Sequence, residues 1–345
     1  MNVGEYPPLT HRENQAGTFK ESLRAPIHRW FSYPVGFSPR LVEEAIAEAR
    51  LPAGARFYDP FAGTATSLIV ARMRGLESHG LEAHPFIHFV GRTKLHWDAE
   101  PSVLGPVLES FLEGARAVAE KAVPPDPSSV PKLLTTCYEP KQLGRLLAIR
   151  DYVRATCPEN SALRNLAELA LAAIARPAAS VSTKWPNVAP RRARSRAAPD
   201  AAKLFSEQIR MMVLDLASVA WQHDWPVAHI ELADARLPHP YLPEKSVDLV
   251  VTSAPYLNNF DYADRTRLET YLLGHYSSWR ELTEGIRRHL VTSATTQLSG
   301  LRVTADELLA PIQAVDPCLG AEIGTLVENI AAARRARRGD KRFDL

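Results

Sequence analysis

Two short stretches carry the residue types and spacing that could do chemistry. The first is Asp59-Pro60-Phe61-Ala62-Gly63-Thr64-Ala65-Thr66, preceded by Arg56-Phe57-Tyr58. The second is Ser253-Ala254-Pro255-Tyr256, preceded by the mostly apolar run Val247 to Thr252. In the first, a strand ends in an acid and turns through small residues into an amphipathic helix starting near Thr66. A parallel α/β sheet opens a nucleotide-sized pocket in this way, at the carboxyl end of a strand. Small side chains let the backbone approach a ligand closely, and a strand-end carboxylate can hold a cationic or hydroxyl group. Taken alone, such a loop also describes any tight strand-to-helix turn. The second stretch narrows the reading. The Ser253 hydroxyl and the Ala254 carbonyl are two hydrogen-bond acceptors on a turn that Pro255 stiffens, and Tyr256 adds an aromatic face.

The elements that position these stretches follow from periodicity. Residues 55–58 read as a strand, 66–74 as a helix ended by Gly75, and 78–82 as a second strand closing on Glu82. An acid at that distance from a glycine turn commonly hydrogen-bonds ribose hydroxyls, and Ala83 follows it. Pro85 opens another helix. Upstream, Ser38 caps a helix with Pro39 in its first turn and Leu41, Val42, Ala45, Ile46 and Ala49 on its apolar face. The aromatic stretch from Ile27 to Phe37 before it reads either as a lid packed on the core or as a ligand lining. From 98 to 226 Leu and Ala recur at helical spacing over 103–122, 139–155, 161–175 and 200–221, with Pro-rich breaks. A strand at 227–232 leads to Asp234 and Ala235, and 247–252, apolar on both faces, reads as a central parallel strand. Helices are predicted at 268–273, 279–290 and 305–338. Four strands result.

The chain has 345 residues, 46% of them apolar, and a formal charge of +2. That suffices for a large α/β domain with an insertion and says little about partners. Cys137, Cys157 and Cys318 are odd in number and widely spaced, which argues against a disulfide framework or a zinc site. The N-terminus has no charged-then-apolar signal pattern, and no apolar run reaches about 18 residues, so a soluble cytoplasmic protein is expected. Charge is clustered, however. Lys184 and Trp185 lie just before Arg191, Arg192, Arg194 and Arg196. A basic segment beside an aromatic suits a phosphate backbone with one stacking contact, and a solvated loop equally well.

With both stretches in hand, the sequence resembles the site-specific bacterial DNA amino-methyltransferases, which use S-adenosylmethionine and act on adenine N6 or cytosine N4. Asp59-Pro60-Phe61-Ala62-Gly63-Thr64 is similar to that family's Asp-Pro-Phe-x-Gly-x-Gly cofactor loop, and Ser253-Ala254-Pro255-Tyr256 to its Asp/Asn/Ser-Pro-Pro-aromatic corner. Phe37-Ser38-Pro39, Gly80-Leu81-Glu82-Ala83-His84-Pro85 and Asn258, Asn259, Asp261 and Tyr262 extend the likeness, which covers roughly 27–97 and 229–290. The resemblance implies a Rossmann-like class I methyltransferase sheet with a large helical insertion. The expected organisation is an N-terminal arm and lid helix over 1–50, a cofactor-loop half over 51–97, a helical insertion over 98–226 as candidate target-recognition region, and a catalytic half over 227–345. It implies cofactor contacts from Phe37, Pro39, Asp59 to Thr64, Glu82, Ala83, Asp234 and Ala235, catalysis by Ser253 to Tyr256, and DNA contacts from the basic segment and Asn258 and Asn259. No metal is expected.

The corner has a physical logic of its own. A nucleobase amine is a poor nucleophile because its lone pair is delocalised into the ring. Acceptors at Ser253 and Ala254 would draw its N–H groups and favour a tetrahedral nitrogen as it attacks a methyl group, while Tyr256 stacks on the extruded base. Two departures bear on this. Ala65 stands where the last loop glycine is usual, and crowds the loop if that position needs positive φ. Ala254 replaces a proline and keeps its carbonyl. Family members continue into further strands, whereas this sequence closes on a basic helix, so an incomplete sheet is expected. Three readings stay open: a DNA methyltransferase, a nucleic-acid-binding subunit inactive without a second polypeptide, and a methyltransferase acting on RNA or a protein amide. Ser253 leans toward cytosine N4.

Overall fold

The computed structural model describes residues 19–52, 54–97, 101–181, 183, 198–219, 224–255, 260–291 and 305–336. They form two compact units. The first holds the residues up to Pro255 together with Tyr262–Leu290, and the second holds the C-terminal helices.

The first unit is built on four parallel strands, β1 (Arg56–Asp59), β2 (Glu77–Glu82), β3 (Ala228–Leu232) and β4 (Leu249–Val250), in the order β3-β2-β1-β4. Register runs Phe57 to Ser78 and Leu249, and Gly80 to Ile230, so the carboxyl ends of all four strands share one edge. Parallel neighbours need crossovers. The β1–β2 crossover is α2 (Thr66–Met73), ended by Gly75 at φ 80°. The β2–β3 crossover carries α3 (Pro85–Leu95) and then α4 (Pro101–Glu120), α5 (Lys132–Cys137), α6 (Pro140–Thr156), α7 (Ala162–Ile174) and α8 (Ala201–Val219). The long helical stretch between the sheet halves is therefore present among the described residues. It shares one hydrophobic core with the sheet: Phe57, Leu68, Phe86, Leu146, Leu171 and Phe205 belong to a single buried cluster.

Ser38 caps α1 (Pro39–Ala49), its hydroxyl accepting from Arg40 N–H. The aromatic stretch before it is buried at Ile27, Trp30, Phe31, Tyr33 and Phe37. Asp215 of α8 pins it, accepting from the backbone N–H of Ile27 (2.9 Å), from Trp30 Nε1 (3.0 Å) and from Arg29 Nε (3.0 Å).

The sheet is not doubly covered along its length. Phe57, Asp59, Ser78, Gly80 and Ile230 are buried, while Tyr58, His79 and His229 on the alternate positions are half-buried or exposed. Two expectations change here. The strand expected over 247–252 is only Leu249–Val250, and it pairs with β1 alone among the described residues. Val250 is 53% exposed, so among the described residues β4 is an edge strand rather than a buried central one. Ladder bonds from Asp248 N–H to Arg56 O (2.9 Å) and Val251 N–H to Tyr58 O (3.3 Å) still hold the flanking backbone in line.

After β4 come α9 (Tyr262–Arg265), α10 (Arg267–Leu272) and α11 (Trp279–Gly285), which passes into a 3₁₀ turn at Arg287–His289 rather than reaching residue 290 as a helix. The second unit is the pair α12 (Ala305–Val315) and α13 (Pro317–Ala336). The single helix expected over 305–338 is broken because Pro317 cannot continue α12 and Asp316 caps α13, accepting from Cys318 and Leu319 N–H. Among the described residues no helix is long and apolar enough to cross a membrane.

Candidate active site

The two stretches meet because β1 and β4 are parallel neighbours. Asp59 closes β1 with 0% exposure. Its Oδ1 accepts from the Phe61 backbone N–H (2.9 Å) and from Thr252 Oγ1 (2.6 Å), and its Oδ2 accepts from Ser67 Oγ at the start of α2. Burial raises the Asp59 carboxyl above its ordinary range, against the lowering effect of these three hydrogen bonds. The carboxylate thus ties together the loop, the first turn of α2 and the residue before Ser253. Thr252 and Ser67 were not singled out from the sequence. The signal for Thr252 was its place at the strand end, which becomes meaningful only once β4 is known to lie beside β1.

The loop itself is tightly built. Ala62 N–H donates to Leu81 O (2.9 Å) and Ala65 N–H to Ala62 O (2.8 Å), fixing it to the end of β2. Gly63 lies at φ 54° and Ala65 at φ 65°. The position where a glycine was expected does require the left-handed region, and an alanine occupies it. Ala65 is also the N-cap of α2 and offers no side-chain acceptor, so the first-turn amides have no side-chain cap. Such a helix start favours electron-rich ligand groups. Two glycines permit the packing, Gly80 of the Gly80–Pro85 stretch and Gly91, which no motif marks in the sequence. A Cβ on Gly80 would come within 2.7 Å of Ala62 Cβ, and one on Gly91 of α3 within 2.8 Å of Ile230 Cδ1 and 3.2 Å of Gly63 O.

Glu82 closes β2 one strand over. Its Oε1 accepts from His84 N–H (2.8 Å), and the backbone amides of Gly63 and Ala83 also act on it. Burial outweighs these donors and the carboxyl is pushed up to about 7. Asp234 follows β3, whose end is held by Ala233 N–H donating to Glu82 O (3.3 Å). The Asp234 carboxylate is already engaged by Arg236, through its backbone N–H (2.9 Å) and its guanidinium, which lowers its pKa. Ala235 lies in the same turn, half-buried. Phe37 and Pro39 are buried at the entry to α1. Pro60, Phe61 and Ala83 are half-buried at strand ends, and Thr64 is buried in the loop.

Ser253, Ala254 and Pro255 directly continue the chain from Thr252. Ala254 is exposed and its neighbours half-buried. Tyr256, Asn258 and Asn259 fall outside the described residues, as do Lys184, Trp185, Arg191, Arg192, Arg194 and Arg196. What the described geometry assembles is one sheet edge carrying a small-residue loop, three buried or half-buried carboxylates and a polar corner.

Similarity to known proteins is confined to short stretches. The chain is similar to the type II methyltransferase M.BsoBI of Geobacillus stearothermophilus, 34% identical over 77 residues, which is 22% of this chain and 15% of that protein. It is similar to the type II methyltransferase M.AvaI of a Nostoc species, 35% identical over 68 residues, 20% and 14% of the two chains. The type II methyltransferase M.MvaI of Kocuria varians is 34% identical over 97 residues, 28% of this chain and 21% of that protein. The aligned stretch thus spans about a fifth or less of these curated relatives. No family model matches, and no solved structure matches. The curated relatives are type II methyltransferases, and the fold is mixed α/β with a small parallel sheet and many helices, compatible with a methyltransferase fold.

Proposed function

We propose that this protein is an S-adenosylmethionine-dependent DNA methyltransferase acting on the exocyclic amine of a flipped base, cytosine N4 or adenine N6, on a Rossmann-like sheet. The observation that carries the reading is the Thr252–Asp59 hydrogen bond of 2.6 Å. It locks the residue before the polar corner to the acid that shapes the small-residue loop, so ligand loop and corner share one strand edge. The similarity to type II methyltransferases points the same way.

The site fits the cofactor in kind. Ala62, Gly63 and Ala65 keep the turn of the loop small, and Gly80 and Gly91 let β2 and α3 close on it. In this reading Phe37, Pro39 and the loop residues Asp59, Pro60, Phe61, Ala62, Gly63 and Thr64 form the cofactor's cradle. Glu82 and Ala83 take its ribose hydroxyls, and Asp234 and Ala235 line the adenine. Asp59 shapes that cradle through its internal hydrogen bonds. The bound cofactor supplies the methyl group. Ser253 Oγ and the Ala254 carbonyl accept hydrogen bonds from the target amine and localise its lone pair, Pro255 holds the turn, and Tyr256 stacks on the base. Lys184, Trp185, Arg191, Arg192, Arg194, Arg196, Asn258 and Asn259 are the proposed DNA contacts, and the helical stretch 98–226 the region that selects the target.

A second reading has its own observation. β4 has a neighbour on one side only among the described residues, and Val250 is exposed there. An open strand edge is a template for another chain. In that reading a second polypeptide completes the sheet, and the isolated chain binds cofactor without transferring methyl. Nucleoside mass spectrometry of DNA from cells expressing this chain separates the two. N4-methylcytosine or N6-methyladenine from the chain alone supports the first reading, and modification only with a co-expressed partner supports the second. No modified base in either case, with no S-adenosylmethionine bound in calorimetry, rejects both.

A further inference from the structure

Two arginines meet at one carboxylate beside α9 and α10. Arg176, just after α7, donates to Glu269 from Nε (2.6 Å) and from Nη2 (3.3 Å), and also to the carbonyls of Thr183 (2.9 Å) and Arg265 (2.5 Å). Glu269 is 1% exposed and both of its oxygens are engaged by Arg176. Arg265, one helical turn earlier, is 5% exposed. Its closest carboxylate contact is Glu269 Oε1 at 3.6 Å, longer than a hydrogen bond, and its Nε has no acceptor among the described residues. The neighbouring Asp264 faces Arg267 instead, at 3.2 Å. Two guanidinium groups therefore share one carboxylate in a buried setting. A buried donor left unsatisfied is costly and calls for an explanation, of which an arriving anion is one.

The surroundings say where that anion would come from. Thr266, next in the chain, meets His84 Nε2 through its Oγ1 (2.8 Å), and His84 N–H donates to Glu82. The joint between α9 and α10 is thus fastened to the end of β2. Tyr33 is buried in the same place. Burial pushes its phenol well up, with smaller influences from Glu82, Tyr262, Arg265 and Glu269. The His84 link places Arg265, the residue before Thr266, near the end of β2 that Glu82 closes. A group this enclosed suits a small terminal anion better than a phosphodiester flanked by sugars. The guanidinium fork matches a carboxylate with two parallel N–H donors.

We propose that Arg265 binds the carboxylate of the cofactor's amino-acid moiety, an assignment that rests on the cofactor reading given above. The adenosine half lies toward Glu82 and Asp234, and the zwitterionic end toward Arg265.

Calorimetric titration of the full chain with two probes tests this. S-adenosylhomocysteine carries the carboxylate, and 5′-methylthioadenosine keeps the nucleoside and sulfur without it. Arg265→Met is expected to weaken S-adenosylhomocysteine by about tenfold or more, as loss of a charge-assisted pair implies, and to leave 5′-methylthioadenosine within about twofold. Retained binding of the second probe also shows that the variant is folded. If Arg265→Met does not fold, Arg265→Lys keeps the charge without the fork, and it is expected to show the same one-sided loss, smaller in size. Equal losses for both probes, or none for either, overturn the assignment while leaving the cofactor reading intact. A wild-type chain that binds neither probe overturns both together.

Discussion

At the scale of single residues, the site turns on carboxylates whose surroundings set their use. Asp59 accepts hydrogen bonds from Ser67, Thr252 and the Phe61 amide, so it bolts two loops together. Thr252→Val removes one bolt. It is expected to lower stability by about 1–2 kcal/mol, the cost of leaving a buried acceptor underused, and to weaken cofactor binding in calorimetry, with Thr252→Ser restoring both. Glu82 is held at about 7 by burial. A carboxyl raised in the folded state keeps its proton after the unfolded chain has lost its own. The folded form then binds more protons between the ordinary carboxylate range and about pH 7, so stability falls as pH rises through that window and is level above it. Thermal melts of Glu82→Gln compared with wild type between pH 4.5 and 8 are expected to show this slope flattened in the variant.

Elements explain why the loop has its shape. Ala65 sits at φ 65°, a region that costs an L-residue about 1–2 kcal/mol, because α2 must start at once beneath a loop already tied to Leu81. Ala65→Gly is expected to raise stability by about 1 kcal/mol by removing that strain, read as an increased denaturant midpoint with an unchanged slope. The departure from the usual glycine therefore affects the stability of the loop more than its existence. The sheet edge depends equally on α3. Gly91 brings that helix against Gly63 O, and Gly80 brings β2 against Ala62. Periodicity located both helices and both strands, yet it gave no sign that these two glycines mark close approaches. That information lies in the separation of elements, which spacing along one chain does not contain.

At the scale of the first unit, the helices between β2 and β3 share a core with the sheet, and Asp215 shows how firmly. Its carboxylate is buried in α8 and receives the Ile27 amide, the Trp30 indole and the Arg29 guanidinium. It joins segments 188 residues apart in the chain for the Ile27 contact. Asp215→Ala leaves those donors unmet and is expected to destabilise the unit by roughly 3 kcal/mol. Because the aromatic stretch 27–37 packs on that same core, chemical denaturation followed by Trp fluorescence and by circular dichroism should shift together. Separate transitions would show that the insertion folds independently of the sheet.

The sequence by itself determined the strand and helix plan, the loop at Asp59–Thr66, the corner at Ser253–Pro255 and the acid at Glu82, because each depends on local periodicity, turn chemistry or a short motif. It also flagged Ala65 as the place where the backbone would be strained. Only the tertiary structure decided that β4 is a two-residue edge strand among the described residues, that Asp59 faces inward to Thr252 and Ser67, and that Arg265 is buried with its Nε unmet there. These are matters of which distant residues become neighbours. Burial changes the energetic weight of a carboxylate or a guanidinium by removing water, and no spacing along the chain records which groups lose it.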